Sequence, residues 1–166
     1  MGTRIAAQSA LLLAAALCIQ SLRFLLPMPP TISMFLIGTG INLILLLACR
    51  ISLRSAVIIS AALPITAFFQ GQLPIFVFCP AAAIANIIFA CAAYKWNEDR
   101  RIWLAPILKA GALYLMSWGI VEIAQLPRPM THTILFMMGF AQLITATLAI
   151  FLEKKIKNRI FSVKNH

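Results

Sequence analysis

Three side-chain amides lie in the middle of otherwise apolar stretches, and they are the first residues with chemistry to offer. Asn42 comes eleven residues after Thr31, Asn86 eleven after Ile75, and Gln142 ten after His132. The three stretches run in the same direction across a membrane, so the amides reach similar depth. An amide both donates and accepts, and hydrocarbon gives it no partner, so each is expected to face a neighbouring helix or a ligand. As bonds between helices they would contribute about 0.6–2 kcal/mol apiece. Asn86 leans toward the ligand role, because it lies beneath a helix opened by Pro80 and beneath the polar reversal Gln70-Gly71-Gln72-Leu73-Pro74. Gln72, at the centre of that reversal, is a further candidate contact.

A second set lies in the fifth apolar stretch. Lys109 and Glu122 are thirteen residues apart, about 20 Å along a helix, which is too far for a direct pair. Lys109 either snorkels to the headgroups or needs a carbonyl, a coupling partner or an anionic group. Glu122, with Arg128 and His132, would form a charged rim around an outward pocket. Trp118 joins Phe68, Phe69, Phe76, Phe78 and Phe136 near the same side. Such aromatics form interfacial belts by default, and a pocket for a planar molecule uses the same residue types. A third feature is a run of small residues, Gly2, Ala6, Ala10, Ala14 and Cys18, recurring every four positions. It is either a packing face inside the bundle or a docking face for another membrane subunit.

What is missing narrows the chemistry. There is no HExxH, no P-loop, no carboxylate pair and no Ser/His/Asp set at usable spacing. Four acidic residues, two of them adjacent as Glu98-Asp99, leave little for acid–base work, so no enzyme activity and no cofactor are expected. Cys18, Cys49, Cys79 and Cys91 lie in or beside apolar segments without CxxC spacing; they read as small packing residues rather than metal ligands. Few intramembrane charges and no evident repeat also argue against a self-sufficient ion-coupled carrier.

The elements that must position these residues follow from composition. With 166 residues, 62% hydrophobic and 11% charged, the chain lacks the charged shell of a soluble domain of this size. In lipid, backbone groups must be satisfied within helices or a closed barrel, and uncharged runs of about 20 residues select helices. Ser55 to Tyr94 carries no charge; as one helix it would reach about 60 Å, twice a hydrocarbon core, so it folds back at Gln70–Pro74. The expected fold is an all-α polytopic membrane protein in one domain. Its six spans run over about 5–26, 32–49, 55–69 (interrupted by Pro64), 75–94, 102–124 and 133–152, followed by a basic tail over 153–166. Residues 5–22 lack the cleavage site and polar sequel of a signal peptide, so they are kept as a span.

The net charge of +10 is distributed as a topology signal. Arg4, Arg50, Arg54, Lys95, Arg100, Arg101, Lys154, Lys155, Lys157, Arg159 and Lys164 fall on one side of this arrangement, with Arg23 and Arg128 on the other. The positive-inside rule then makes both termini cytoplasmic and turns the Gln70–Pro74 loop outward. No aromatic-interleaved basic patch suggests nucleic acid; the basic clusters suit anionic lipid.

On these residues the chain resembles the substrate-binding S components of energy-coupling factor (ECF) transporters. The similar features are six helices, cytoplasmic termini, the Ala6-x-x-x-Ala10-x-x-x-Ala14 face, Gly38-Thr39-Gly40-Ile41-Asn42 and Leu63–Gly71. To these add Pro80–Asn86, Leu108-Lys109-Ala110 and Ala141–Ala146. The resemblance implies a vitamin-like micronutrient bound in an outward pocket built by helices four to six and the outer loops, in a bacterial cytoplasmic membrane. It implies two ABC ATPase subunits and a transmembrane T scaffold that meets Ala6, Ala10 and Ala14. Asn86, Gln142, Trp118, Glu122, Gln72 and Asn42 are then the candidate substrate contacts. The alternative is a non-transporting membrane scaffold of envelope or cell-shape assembly, similar to MreD. That alternative needs no ligand pocket, so a cavity beneath the Gln70–Pro74 loop discriminates between the two.

Overall fold

The computed structural model describes residues 2–25, 29–71, 73, 75–97 and 99–163. Among these the chain is about 90% helical with no strand. Its elements are α1 (Thr3–Leu25), α2 (Pro30–Ile51), α3 (Leu53–Phe69), α4 (Phe78–Lys95), α5 (Leu104–Ala124), α6 (Arg128–Phe136) and α7 (Gln142–Val163). A 3₁₀ turn, Arg100–Trp103, leads into α5, and a π-helical turn, Met137–Ala141, joins α6 to α7.

Proline and serine set several of the boundaries. Pro30 is the first residue of α2, where its fixed φ suits the helix and its missing N–H would have gone unpaired anyway. Ser52 is extended (φ −167°, ψ 149°) and separates α2 from α3 by one residue. Its hydroxyl accepts from the Ser55 N–H, capping α3. Pro80 falls in the first turn of α4, among the residues whose N–H groups lack helical acceptors. Gln125 closes α5 in the left-handed region (φ 48°, ψ 44°).

Pro64 departs from expectation. It does not interrupt its span, since α3 runs unbroken from Leu53 to Phe69. Ile59, Leu63 and Pro64 are buried against neighbouring helices, and the Pro64 carbonyl accepts from the Cys79 thiol of α4 at 3.4 Å. The last span also differs. Its helix begins at Arg128, passes through the π turn, and continues to Val163, so residues 153–163 extend the helix. Likewise α4 starts at Phe78 rather than Ile75.

Cross-helix bonds fix the directions. Ser9 donates to Ser55, and further along Gln20 donates to the Leu63 carbonyl, so α1 and α3 run parallel. Asn42 meets Thr145 and Arg50 meets Glu153, so α2 and α7 also run parallel. With the short connections, α1, α3 and α5 run one way and α2, α4 and α7 the other. Arg4, Arg50, Arg54, Lys95, Arg100, Arg101, Lys154, Lys155 and Lys157 therefore collect at one end of the bundle, here called the basic end.

Two packed clusters fill the interior. One, toward the basic end, centres on Leu45, Ile59, Phe89, Ile102 and Ile150; the other holds Phe78, Ala81, Leu113, Val121 and Ile134. The outer surface is itself apolar, with Leu11, Phe24, Leu36, Ile58, Ile84, Leu115, Ile123 and Phe151 exposed. Among the described residues five helices are long and apolar enough to cross a membrane, and the 17-residue α3 is a shorter apolar helix. This is the architecture of an all-α membrane protein.

Candidate ligand-binding site

Where α2 and α7 meet, Gly38 lets the backbones approach: a Cβ there would lie 3.0 Å from Thr145 Cγ2. That contact sets Thr145 against Asn42, whose Nδ2 donates to the threonine hydroxyl at 3.2 Å. The Thr145 hydroxyl in turn lies 3.2 Å from the Gln142 carbonyl, to which it donates. From α5, the Lys109 amine donates to Asn42 Oδ1 and lies 5.3 Å from the centre of the Phe89 ring on α4. A line of hydrogen bonds thus runs Lys109 to Asn42 to Thr145 to the α7 backbone. Asn42 spends both its acceptor and a donor on it.

These groups lie at one part of a cavity of about 450 Å³. Its lining starts at Arg23, Gly71, Leu73 and Met130, at the end of the bundle opposite the basic residues. It reaches Asn42, Asn86, Lys109 and Gln142 near mid-length. Between them the walls are mostly apolar, with Met34, Ile37, Leu63, Leu113, Ile134 and Met138 among the lining residues. A small-molecule site has this make: a largely apolar hollow of several hundred Å³ with a few convergent polar groups.

The π turn contributes to the wall. A π turn inserts one extra residue per turn and shifts the face that the following residues present; such turns concentrate at functional sites. Met137 and Met138 of this turn, and Gln142 directly after it, all line the cavity. Gly139 within the turn lies against α5, where a Cβ would come 2.9 Å from Tyr114 Cδ2.

The three mid-span amides expected at similar depth are brought together on this cavity. They differ in how they are satisfied. Asn42 is 1% exposed and fully engaged, so its part is to hold Lys109 and tie α2 to α7. Asn86 is 8% exposed, and its amide makes no hydrogen bond to a described residue. That amide is among the groups lining the cavity, where its donors and acceptor are open to whatever fills the hollow.

Other expected residues lie elsewhere. Trp118 is half exposed on the outer surface and Glu122 is exposed near the end of α5; neither lines the cavity. None of the six aromatics near that end lines it either. Phe78 is fully buried in the core, and Phe68 packs edge-on against Phe69 and Phe76, with centroids 5.7 and 5.2 Å apart. Gln72 lies outside the described residues. Ala6, Ala10 and Ala14 are exposed along α1, whose buried residues are Ala16 and Gln20.

The cavity is also wider than helices four to six. Gln20 and Arg23 of α1, Ser33 and Gly38 of α2, and Leu63 and Ala67 of α3 line it as well. Lys109, left between snorkelling and binding by its sequence position, turns inward and is 2% exposed. Met34, Met130, Met137 and Met138 share the lining with it, and methionine suits adaptable binding surfaces.

A second hollow of about 460 Å³ lies at the basic end, lined by Cys49, Arg50, Tyr94, Asn97 and Glu153 among others. There Arg50 Nη2 and Nε donate to Glu153 Oε1 at 2.6 and 3.0 Å, joining α2 to α7. Among the described residues no group of three or more His, Cys, Asp or Glu side chains is arranged to hold a metal. Comparisons of the chain with protein-family models, curated proteins and solved structures gave no match.

Proposed function

We propose that the chain is the substrate-binding S component of an ECF-type uptake transporter, taking up a vitamin or related micronutrient across a bacterial cytoplasmic membrane. The observation that carries this reading is the Asn86 amide, which bonds to no described residue and lines a cavity of about 450 Å³. A scaffold that only packs against other proteins has no use for a hollow with an unspent amide at mid-span depth. A scaffold of envelope or cell-shape assembly is the competing reading, and the hollow beside Asn86 favours the binding subunit over it.

In this reading α3 is the sixth span. At 17 residues it reaches about 26 Å, short for a typical hydrocarbon core but within what local thinning accommodates. The basic end faces the cytoplasm by the positive-inside rule, so the cavity opens outward through the Gly71 and Met130 side. Substrate enters there. The exposed Ala6, Ala10 and Ala14 of α1 meet the transmembrane T scaffold, because small side chains allow the close backbone approach that membrane helices need. Two ABC ATPases supply the energy, as this chain has no nucleotide-binding loop.

The test is co-expression with the T and ATPase subunits of the same genome, followed by purification on a tag carried by this chain. The three partners are expected to co-purify, and Ala10→Leu is expected to lose them while leaving the chain's own melting temperature unchanged. Failure of the wild-type chain to bring down the T subunit would overturn the reading. Unchanged capture by Ala10→Leu would move the docking face away from this stripe.

A further inference from the structure

A lysine ammonium carries three N–H donors and one positive charge. At Lys109 one donor goes to the neutral Asn42 amide, and no ion pair with a described residue answers the charge. Among the described residues the acidic side chains are placed elsewhere: Asp99 and Glu153 at the basic end, Glu122 exposed on α5, and none on the cavity. Arg23 adds a second cation among the lining residues at the opposite end. The cavity is therefore a mostly apolar hollow with an excess of positive charge and, at its mid-span end, two buried groups with hydrogen bonds to spare, Lys109 and Asn86. Burying a cation beside neutral groups alone is costly, and a ligand anion offsets that cost most directly.

We propose that the cavity binds a small amphipathic carboxylic acid, its carboxylate meeting Lys109 and the Asn86 amide and its apolar body lying against Met34, Leu113 and Met138. One ammonium matches one negative charge; a phosphate dianion would call for a second cation or an arginine fork beside Lys109, and the described lining has none there. Asn42 holds the amine in place and is a positioning residue. The inference rests on the transporter-subunit reading only for the cavity's being a substrate site, and it adds the chemical class of the substrate.

The experiment compares acids with their neutral amides on the full chain in lipid nanodiscs, using nicotinate and nicotinamide, lipoate and lipoamide, and octanoate and octanamide. Binding is read by calorimetry and by the shift in melting temperature. At least one acid is expected to bind about tenfold or more tightly than its amide, the discrimination of one charge-assisted hydrogen bond. Lys109→Met is expected to erase that preference, and Lys109→Arg to keep much of it. A response to octanoate alone makes the carboxylate a membrane-derived fatty acid, whereas nicotinate or lipoate makes it a water-soluble one. Amides binding as well as acids, a preference that survives Lys109→Met, or no acid bound at all would overturn the proposal. Amide binding with the T subunit still captured would leave the transporter reading intact; acid binding without that capture would do the reverse.

Discussion

Replacing Asn42 by leucine is expected to destabilise the folded protein by about 3 kcal/mol, and adding Lys109→Met to the same chain is expected to return most of that loss. Asn42 is 1% exposed, and its amide is what satisfies the Lys109 amine and the Thr145 hydroxyl. Leucine fills similar space but leaves a buried amine with nothing to bond. An orphaned buried donor costs about 1–3 kcal/mol, more when charged, which places this case at the top of the range. Removing both partners together leaves two apolar side chains in an apolar surrounding, which is close to neutral. Reversible unfolding of the four chains in mixed micelles measures the cycle. Additive losses would mean that the two side chains do not act on each other.

Arg50→Met is expected to cost a comparable amount, about 3 kcal/mol, by a different route. Glu153 is 6% exposed and receives two N–H bonds from the guanidinium. Methionine keeps the hydrophobic stem and removes both bonds, stranding a carboxylate between α2 and α7. Breaking a buried ion pair from one side costs about 3–5 kcal/mol, and the 30% exposure of the Arg50 side chain puts this one at the lower end. Arg50→Lys is expected to lose less, since an ammonium still meets one carboxylate oxygen but not through two N–H groups. The same micelle unfolding assay checks both, and a full-strength fold in Arg50→Met would show that the pair is screened by headgroup water.

The two pairs divide the labour along one helix interface. At the basic end, α2 and α7 are joined by opposite charges that cancel. At mid-length the same helices are joined through a neutral amide that leaves a neighbouring charge uncancelled. Both arrangements hold α2 against α7, and the second is the one on which the proposed carboxylate site rests.

The apolar helices and their order were legible because lipid enforces long uncharged runs and prolines mark where such runs end, although five rather than six of the described helices are long and apolar enough to cross a membrane. The common depth of Asn42, Asn86 and Gln142 followed from counting residues along helices of known rise. Rotation about the helix axis was not legible. In a helix that is apolar on every side, no polar stripe marks the inward face, so nothing distinguished Lys109 from Trp118. The structure resolves it through geometry: the two are nine residues apart, about two and a half turns, and therefore on opposite faces of α5. With Lys109 inward, Trp118 must face outward, as its exposure shows. The π turn was hidden for a related reason. It depends on Gly139 fitting against Tyr114 of another helix, a contact that local sequence does not carry. Pro64 misled because a break expected from one helix alone is offset by the neighbour that packs on it.

On the proposed transporter reading, a micronutrient binds in the hollow lined by Asn86 and Lys109. Equilibrium dialysis of a labelled micronutrient panel against the purified chain in nanodiscs tests it most directly, with Ala82→Trp as the companion variant. Ala82 lines the cavity, is only partly buried, and lies one helical turn before Asn86, so an indole there occupies the space a ligand needs. One compound is expected to bind at one per chain and to be lost in Ala82→Trp. No compound bound by the wild-type chain, or one bound equally by Ala82→Trp, would contradict it.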